Sequence, residues 1–392
     1  LSDTDTTNAT YSTVADDWAT AGAWTKQSSI TITSTGSGTS GTLSISGNGT
    51  GSNVYFFNSI TVEANTDYVV SITFGAENAN AFIINTTQYS TSGTLLDINA
   101  LSGLTRGGHF NSGSNTTLYI QGWQQSSTAT TITNLVIQKV SEIDRSVNNK
   151  GLQVFGTVTK SAVATGADLV AYSGFSNSDY LIQPPNSDMQ TGTGDFSVMC
   201  WFKTTSTVDA YEGLIYYNTP GSIGEGFQLM LGPTNGNKGL YWYVYGAATS
   251  VGTGYVTGFN DGNWHCAVAT HTSSQIQLYV DGVLKKTISH TVGSIDDVNA
   301  QFTVGRWYGN ANNSSYWWRG SLALVRHSAS IPTAEQVKKM YEDEKVLFQE
   351  NAKATLYGSS DAVTALAFDD DTNLLHVGTS SGRSDFQGLR RI

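Results

Sequence analysis

The sequence predicts an all-β protein of two tandem β-sandwiches, followed by one short helix and a β-hairpin tail. Short apolar runs alternate with polar residues at period two and are bounded by Gly, Asn, Asp and Ser, the pattern of half-buried antiparallel strands. Turns are left to glycine and its polar companions, with 41 Gly against 5 Pro in 392 residues, the composition that hairpins prefer. Tight-turn signals punctuate the runs, above all Asp281-Gly282,. A chain of this length suits two or three domains, each able to bury its own core.

Residues 1–140 form the first sandwich. Runs such as Ile30-Thr31-Ile32, Leu43-Ser44-Ile45, Phe82-Ile83-Ile84 and Leu118-Tyr119-Ile120 recur at close spacing between polar turns,. The polar stretch 141–150, SEIDRSVNNK, reads as a linker. The second sandwich spans 151–345 and is organised around 261–287. There Trp264, Cys266 and Val268 alternate on one strand, and Ile276, Leu278 and Val280 on its hairpin partner,. A closing helix is expected over 333–350, because Thr333 with Gln336 makes a capping-box pattern and Val337, Met340 and Tyr341 supply an apolar stripe,. In the tail, 351–392, the runs 363–368 and 374–379 flank a turn and predict one hairpin, similar to half of a propeller blade. A lone hairpin is marginal in water, so the tail is expected to pair with another chain or pack on the helix as an assembly element.

The Trp264-His265 and Tyr279-Val280-Asp281-Gly282 motifs resemble the laminin G or concanavalin A-like jelly-roll family. Upstream, Asp195-Phe196-Ser197-Val198-Met199-Cys200-Trp201-Phe202-Lys203 resembles the family's early core strand; downstream, Phe302-Thr303-Val304-Gly305, Trp318-Arg319-Gly320-Ser321-Leu322 and the helix at 331–341 follow in family order. The resemblance covers roughly 148–344. It implies a sandwich that binds glycans or proteins, often with a calcium ion at one rim, and only in some relatives a glycosidase. The first block is similar to jelly-roll carbohydrate-binding modules through Trp18, Trp24, the 62–68 segment and the closing run 131–137, although Asn134 stands where that family often has Asp. The whole, with its unfinished tail and Ser/Thr/Gly-rich surface, resembles phage tail-fibre and related virion structural proteins.

Charge and spacing exclude several functions. A net charge of -11 repels a phosphate backbone,, so nucleic acid is not an expected partner. Only 13% of residues are charged, a composition common in secreted and virion β-proteins. No apolar run approaches the roughly 18 residues of a membrane span, and LSDTDTTNAT lacks the basic and apolar regions of a signal peptide,. Cys200 and Cys266 lie in apolar runs; one disulfide is open to them, and two buried free thiols is the favoured reading.

Catalysis on such a sandwich takes two carboxylates about 5 to 5.5 Å apart, usually presented as Glu-x-Asp-x-x-Glu, and the chain has no such motif. Glu342, Asp343 and Glu344 read as a solvated run on the helix. His265 and His271 share a strand face without a triad partner. The chain is therefore read as non-enzymatic. Glycine-rich segments at 36–41 and 47–51 lack a P-loop Lys,.

Sugar rings stack on exposed aromatics, of which there are 9 Trp, 19 Tyr and 15 Phe. Trp307, Tyr308, Tyr316 and Trp317 flank the polar loop 310–315 and form a candidate rim, with Trp318 read as core; Trp18, Trp24 and Trp123 are candidates in the first block. Alternation puts Tyr241, Tyr243 and Tyr245 on one strand face and Trp242 on the other, one face being core and the other solvent or an interface,. Each cluster has two readings, surface recognition or packing. Calcium is the one cofactor considered, with Asp296 and Asp297 as candidate ligands in a turn,. The expected protein is a virion (phage fibre or appendage) structural protein that displays its sandwiches for host-surface or glycan attachment, self-assembles as a homo-oligomer and meets other structural proteins of its assembly. The competing reading is a secreted or cell-surface microbial carbohydrate-binding protein or adhesin.

Overall fold

The computed structural model describes residues 6–49, 54–98, 104–140, 142, 146, 150–219, 224–234, 237–307, 316–358 and 362–392. In the first block the alternating runs pair into two five-stranded antiparallel sheets. Sheet I orders its strands Thr25–Lys26, Tyr55–Thr61, Thr117–Trp123, Ala81–Asn85 and Thr94–Asp97. Sheet II orders Thr31–Ser34, Leu43–Ser46, Thr130–Lys139, Asp67–Ala76 and Thr105–Asn111. Alternate residues such as Phe56, Ile60, Leu118 and Ile120 from one sheet meet Val70, Ile72, Leu135 and Ile137 from the other in a closed core,.

The second block builds a larger sandwich. Sheet III runs Ala9–Thr10, Thr157–Ala162, Val170–Ser173, Ser321–Ser328, Phe196–Lys203, His265–His271, Gln275–Val280 and Val283–Ser289. Sheet IV runs Gln153–Phe155, Tyr180–Gln183, Gln301–Val304, Glu212–Asn218, Gly226–Thr234, Asn237–Tyr245 and Ser250–Gly252. The strand Phe196–Lys203 explains its own near-continuous apolar run. Phe196, Val198, Cys200 and Phe202 face the core between the sheets, while Met199 and Trp201 face outward under the closing helix,.

That helix, α1 (Ala334–Glu344), is capped by the expected Thr333/Gln336 box and continues as a 3-10 turn, Lys345–Phe348. The Trp201 ring stacks on Phe348 with centroids 4.2 Å apart, and its Nε1 donates to Glu344 Oε2 at 2.7 Å. Glu344 also takes Arg326 Nη1 at 2.5 Å and is buried. It is therefore not part of the solvated run expected from its neighbours. Cys200 and Cys266 lie on opposite faces of sheet III, and both are free.

The first described strand crosses between blocks. Ala9 pairs with Val158 in sheet III, and Tyr11 N–H donates to Gly156 O at 2.6 Å. Sheet II turns its outer side to the second sandwich: Gln138 exchanges two bonds with the Val154 backbone, 2.7 Å each, and Thr105 N–H donates to Asn299 Oδ1 at 3.0 Å. Most of the expected linker lies outside the described residues. Its Glu142 is buried, however, accepting from Tyr172 Oη at 2.5 Å and pairing with Lys160 Nζ at 3.4 Å.

The tail contains the expected hairpin, Val363–Asp369 with Leu374–Thr379, and extends it. Gly382–Gln387 and Arg390–Arg391 complete a four-stranded sheet V. Gly382 and Gly388, at φ +136° and +60°, make the two extra turns,. Asp168 ties the base of the tail to the sandwich by accepting from Ala354 N, Thr355 Oγ1 and Lys353 Nζ. Among the described residues no helix is long and apolar enough to cross a membrane.

Candidate functional site: an aromatic platform on sheet IV

Alternation in Asn237–Tyr245 sends Leu240, Trp242 and Val244 into the core and leaves Tyr241, Tyr243 and Tyr245 half-buried on the outer face,. Strand register sets Thr303, Tyr216, Gln228 and Tyr243 side by side in one row across that face. The rings run on in contact, with Tyr245 and Tyr243 centroids 4.5 Å apart, Tyr243 and Tyr241 5.4 Å, and Tyr241 and Tyr255 5.0 Å.

A glycine floor lets these rings lie along the sheet. A Cβ at Gly232 would come within 2.6 Å of the Tyr255 ring and 2.9 Å of Tyr211; one at Gly252 would meet Tyr243 at 2.5 Å. A glycine inside a strand often marks such a close approach.

The platform continues into the rim. Tyr255 Oη donates to Tyr211 Oη at 3.2 Å, and Tyr211 meets Tyr316 edge-on at 5.7 Å and Trp307 at 6.0 Å. Trp307 and Tyr316 stack at 4.5 Å, fixed by Trp307 N–H donating to Tyr316 O at 2.9 Å. Arg306 and Arg319 flank them, each guanidinium 4.5 Å from a ring centroid, over Tyr180 and Trp317 respectively,.

Polar groups sit among the rings. Gln228 Nε2 donates to Tyr245 Oη at 2.9 Å. Gln228 Oε1 is buried without a hydrogen-bond partner among the described residues, and the Tyr216 hydroxyl and the Trp307 indole are buried beside each other. Burial pushes the Tyr216, Tyr241 and Tyr255 phenols up, and Tyr245 to about 12, so all four keep their O–H donors at neutral pH,. Beside the rim, Glu212 is closed to solvent, paired with Lys238 at 3.0 Å and accepting from Ser206 Oγ at 2.6 Å and Arg319 N–H at 3.1 Å.

The structure brings three of the four expected rim residues together, Trp307, Tyr316 and Trp317; Tyr308 and the loop 310–315 lie outside the described residues. Trp318 is core, as its shared face with Leu322 implied. Trp18 and Trp24 are not surface aromatics. Both are buried, Trp24 Nε1 donating to Trp18 O at 2.9 Å, because the 15–24 segment folds its indoles between sheets I and II. Trp123 is 6% exposed on the outer side of sheet I, edge-on to Tyr55 at 5.2 Å, and offers no open ring face.

Asp296 Oδ1 accepts from Gly192 N–H at 2.7 Å, while Asp297 accepts from Asn299 N–H at 2.9 Å and from the Thr219 hydroxyl. They brace separate loops. Among the described residues no group of three or more His, Cys, Asp or Glu gathers around them. His265 is held between Asp281, 2.8 Å from Nδ1, and Asp261, 3.1 Å from Nε2, which fixes the hairpin rather than freeing a base.

Local periodicity did not point to Tyr211, Tyr216, Gln228 or Tyr255. Tyr211 and Tyr255 enter from loops that fold back over the sheet, and the only trace of them in the sequence is the glycines spaced beneath.

Two facing sheets closed by a helix, with an aromatic outer face, define a jelly-roll β-sandwich module. Residues 175–338 match the concanavalin A-like lectin/glucanases superfamily, and this part of the chain is a laminin G/concanavalin A-like jelly-roll domain. No curated protein matches the chain. Among solved structures it is similar to the receptor-binding domain of the botulinum neurotoxin C/D mosaic serotype, at 14% identity over 62% of this chain and 69% of that one, TM-score 0.39. It is also similar to the botulinum neurotoxin serotype G binding domain, at 13% identity over 63% of each chain, TM-score 0.41. A third is domain 4 of AbnA, a GH43 extracellular arabinanase from Geobacillus stearothermophilus, solved with arabinotriose, at 15% identity over 51% of this chain and 92% of that one, TM-score 0.37. At these identities and scores the likeness carries no functional inference.

Proposed function

We propose that the chain is a non-enzymatic display protein of an extracellular assembly, of the virion fibre or appendage kind, whose sheet IV platform binds a surface glycan. The observation that carries the reading is the continuous band from Tyr245 to Tyr316. Flat rings take the apolar face of a sugar, and the half-buried tyrosines among them carry hydroxyls that can exchange hydrogen bonds with those of the sugar,.

Glu212 supports the non-enzymatic reading. A glycosidase needs a pair of available carboxylates, and this one is closed off and tied to Lys238. Oligomerisation through the tail would multiply weak contacts into avidity. Sheet V supports that part: Leu366 and Phe368 are 67% and 59% exposed on its edge strand,.

Two experiments test the proposal. The full chain on a glycan array is expected to bind a restricted set of oligosaccharides, and no binding rejects the glycan reading. Light scattering is expected to give an oligomer for the full chain and a monomer for a chain stopped at Asn351. Monomers in both cases favour the secreted carbohydrate-binding protein or adhesin over the fibre.

A further inference from the structure

The outer side of sheet I carries a second aromatic cluster, on the face of the first sandwich opposite its contacts with the second. Its centre is Tyr89, in the turn between Ala81–Asn85 and Thr94–Asp97. Tyr89 has φ +55°, a left-handed backbone that strains a residue carrying a side chain. Such strain persists only where the surroundings enforce it.

Two buried amides enforce it here. Gln121 Oε1 accepts from Tyr89 N–H at 3.0 Å, and its Nε2 donates to Thr87 O at 3.2 Å and Ser90 O at 2.6 Å. Asn85 Nδ2 donates to Ser90 O at 2.8 Å and its Oδ1 accepts from Thr87 N–H at 2.8 Å. Five bonds from the sheet thus strap the turn and hold one ring aloft.

That ring stands edge-on to Tyr55 at 5.6 Å and Phe57 at 5.2 Å, and remains 42% exposed. Tyr119 meets Phe57 edge-on at 5.5 Å. Strand register surrounds the rings with the exposed residues Thr25 and Ser59, with Thr94, whose hydroxyl donates to Thr91 O and accepts from Asn85 Nδ2, and with Asp97 at the far edge. The aliphatic side chain on this face, Ile83, is buried. Protein partners are anchored by desolvated aromatic, aliphatic or Arg side chains in pockets, whereas rings fringed by hydroxyls suit a sugar. The chain's net charge of -11 disfavours an acidic one,.

We propose that Tyr55, Tyr89 and Tyr119 form a second saccharide site, for an uncharged sugar ring, with Asn85 and Gln121 as positioning residues. The site stands apart from sheet IV and does not depend on the platform there, so the chain is bivalent before any oligomerisation.

The test uses the full chain carrying Tyr241→Ala and Tyr243→Ala, which silences the sheet IV platform, on an array of neutral and acidic oligosaccharides. This chain is expected to retain neutral glycans, and titration with the strongest should show Tyr89→Gly weakening affinity at least tenfold. Glycine adopts φ +55° without strain, so Tyr89→Gly is expected to keep the melting temperature within a few degrees, and Tyr89→Phe to keep most of the affinity. The proposal is overturned if the silenced chain binds no neutral glycan, if Tyr89→Gly binds as its parent does, or if Tyr89→Gly melts far lower and the ring is structural. Loss of all binding in the silenced chain with binding in the wild type would leave only sheet IV as a site; binding in the silenced chain identical to the wild type for every glycan would leave only sheet I.

Discussion

The Tyr255 hydroxyl donates to the Tyr211 hydroxyl at 3.2 Å, and this contact joins the tyrosine ladder of sheet IV to the rim aromatics. Both rings lie over Gly232. Replacing Gly232→Ala puts a methyl where the two rings now sit, so the rings must lift and the band must break. Glycan affinity is expected to fall about tenfold or more. Stability should change by only ~1 kcal/mol, because the strand gains in propensity what it loses in ring packing. Urea unfolding beside glycan titration checks both halves.

Acid should weaken the second sandwich. Burial holds His271 and His327 down to about 4, and the Nε2 of each has no partner. Both are neutral when folded and take a proton near pH 6.5 when unfolded. Their stabilising effect is therefore complete above pH 6.5 and is lost as the pH falls from there to about 4. Each removes on the order of 2 kcal/mol by pH 4. His265 acts with the opposite sign. Burial lowers its pKa, but the hydrogen bonds its ring donates to Asp281 and Asp261 outweigh that and hold it raised, so its contribution is complete below pH 6.5 and fades above its folded pKa. Thermal melts from pH 8 to 4 should show a net decline, reduced by His327→Gln.

Asp281 has two structural tasks. Its Oδ1 accepts from Cys266 N–H at 2.9 Å while Oδ2 holds His265, and its own φ is +54°. Asp281→Ala loses both bonds and strains the turn, an expected cost of about 2–4 kcal/mol. Asp281→Asn keeps an acceptor and tolerates the conformation, so its cost should be about half or less. Denaturation midpoints distinguish the two.

Neither thiol should react in the native protein. Burial pushes the Cys200 thiol up, and burial with nearby Glu344 does the same for Cys266, leaving almost no thiolate. An aromatic disulfide reagent is expected to label two thiols per chain in denaturant and none without it.

The fold was legible wherever period two met a turn. Asp261 to Asp281 read correctly as a hairpin because its apolar residues alternate and its ends carry Asp and Gly, and α1 was legible from the Thr333/Gln336 box with the stripe of Val337, Met340 and Tyr341. The site was half legible. Tyr241, Tyr243 and Tyr245 showed their shared face by spacing, yet period alone does not say which face is core; Trp242 on the inside decides it. Trp18 and Trp24 left surface recognition and packing both open in the sequence, and their place between the sheets shows them to be core. Tyr89 gave no signal, since its position depends on Asn85 and Gln121 reaching across from other parts of sheet I.

The most direct measurement is calorimetric titration of the strongest array glycan into the wild-type chain and into Trp307→Ala with Tyr243→Ala, with melting temperatures measured in parallel. Because both side chains are only half-buried, the variant is expected to stay folded and to lose at least tenfold in affinity for glycans that sheet I does not hold. Unchanged affinity in a folded variant would contradict the assignment of sheet IV as a glycan-binding face.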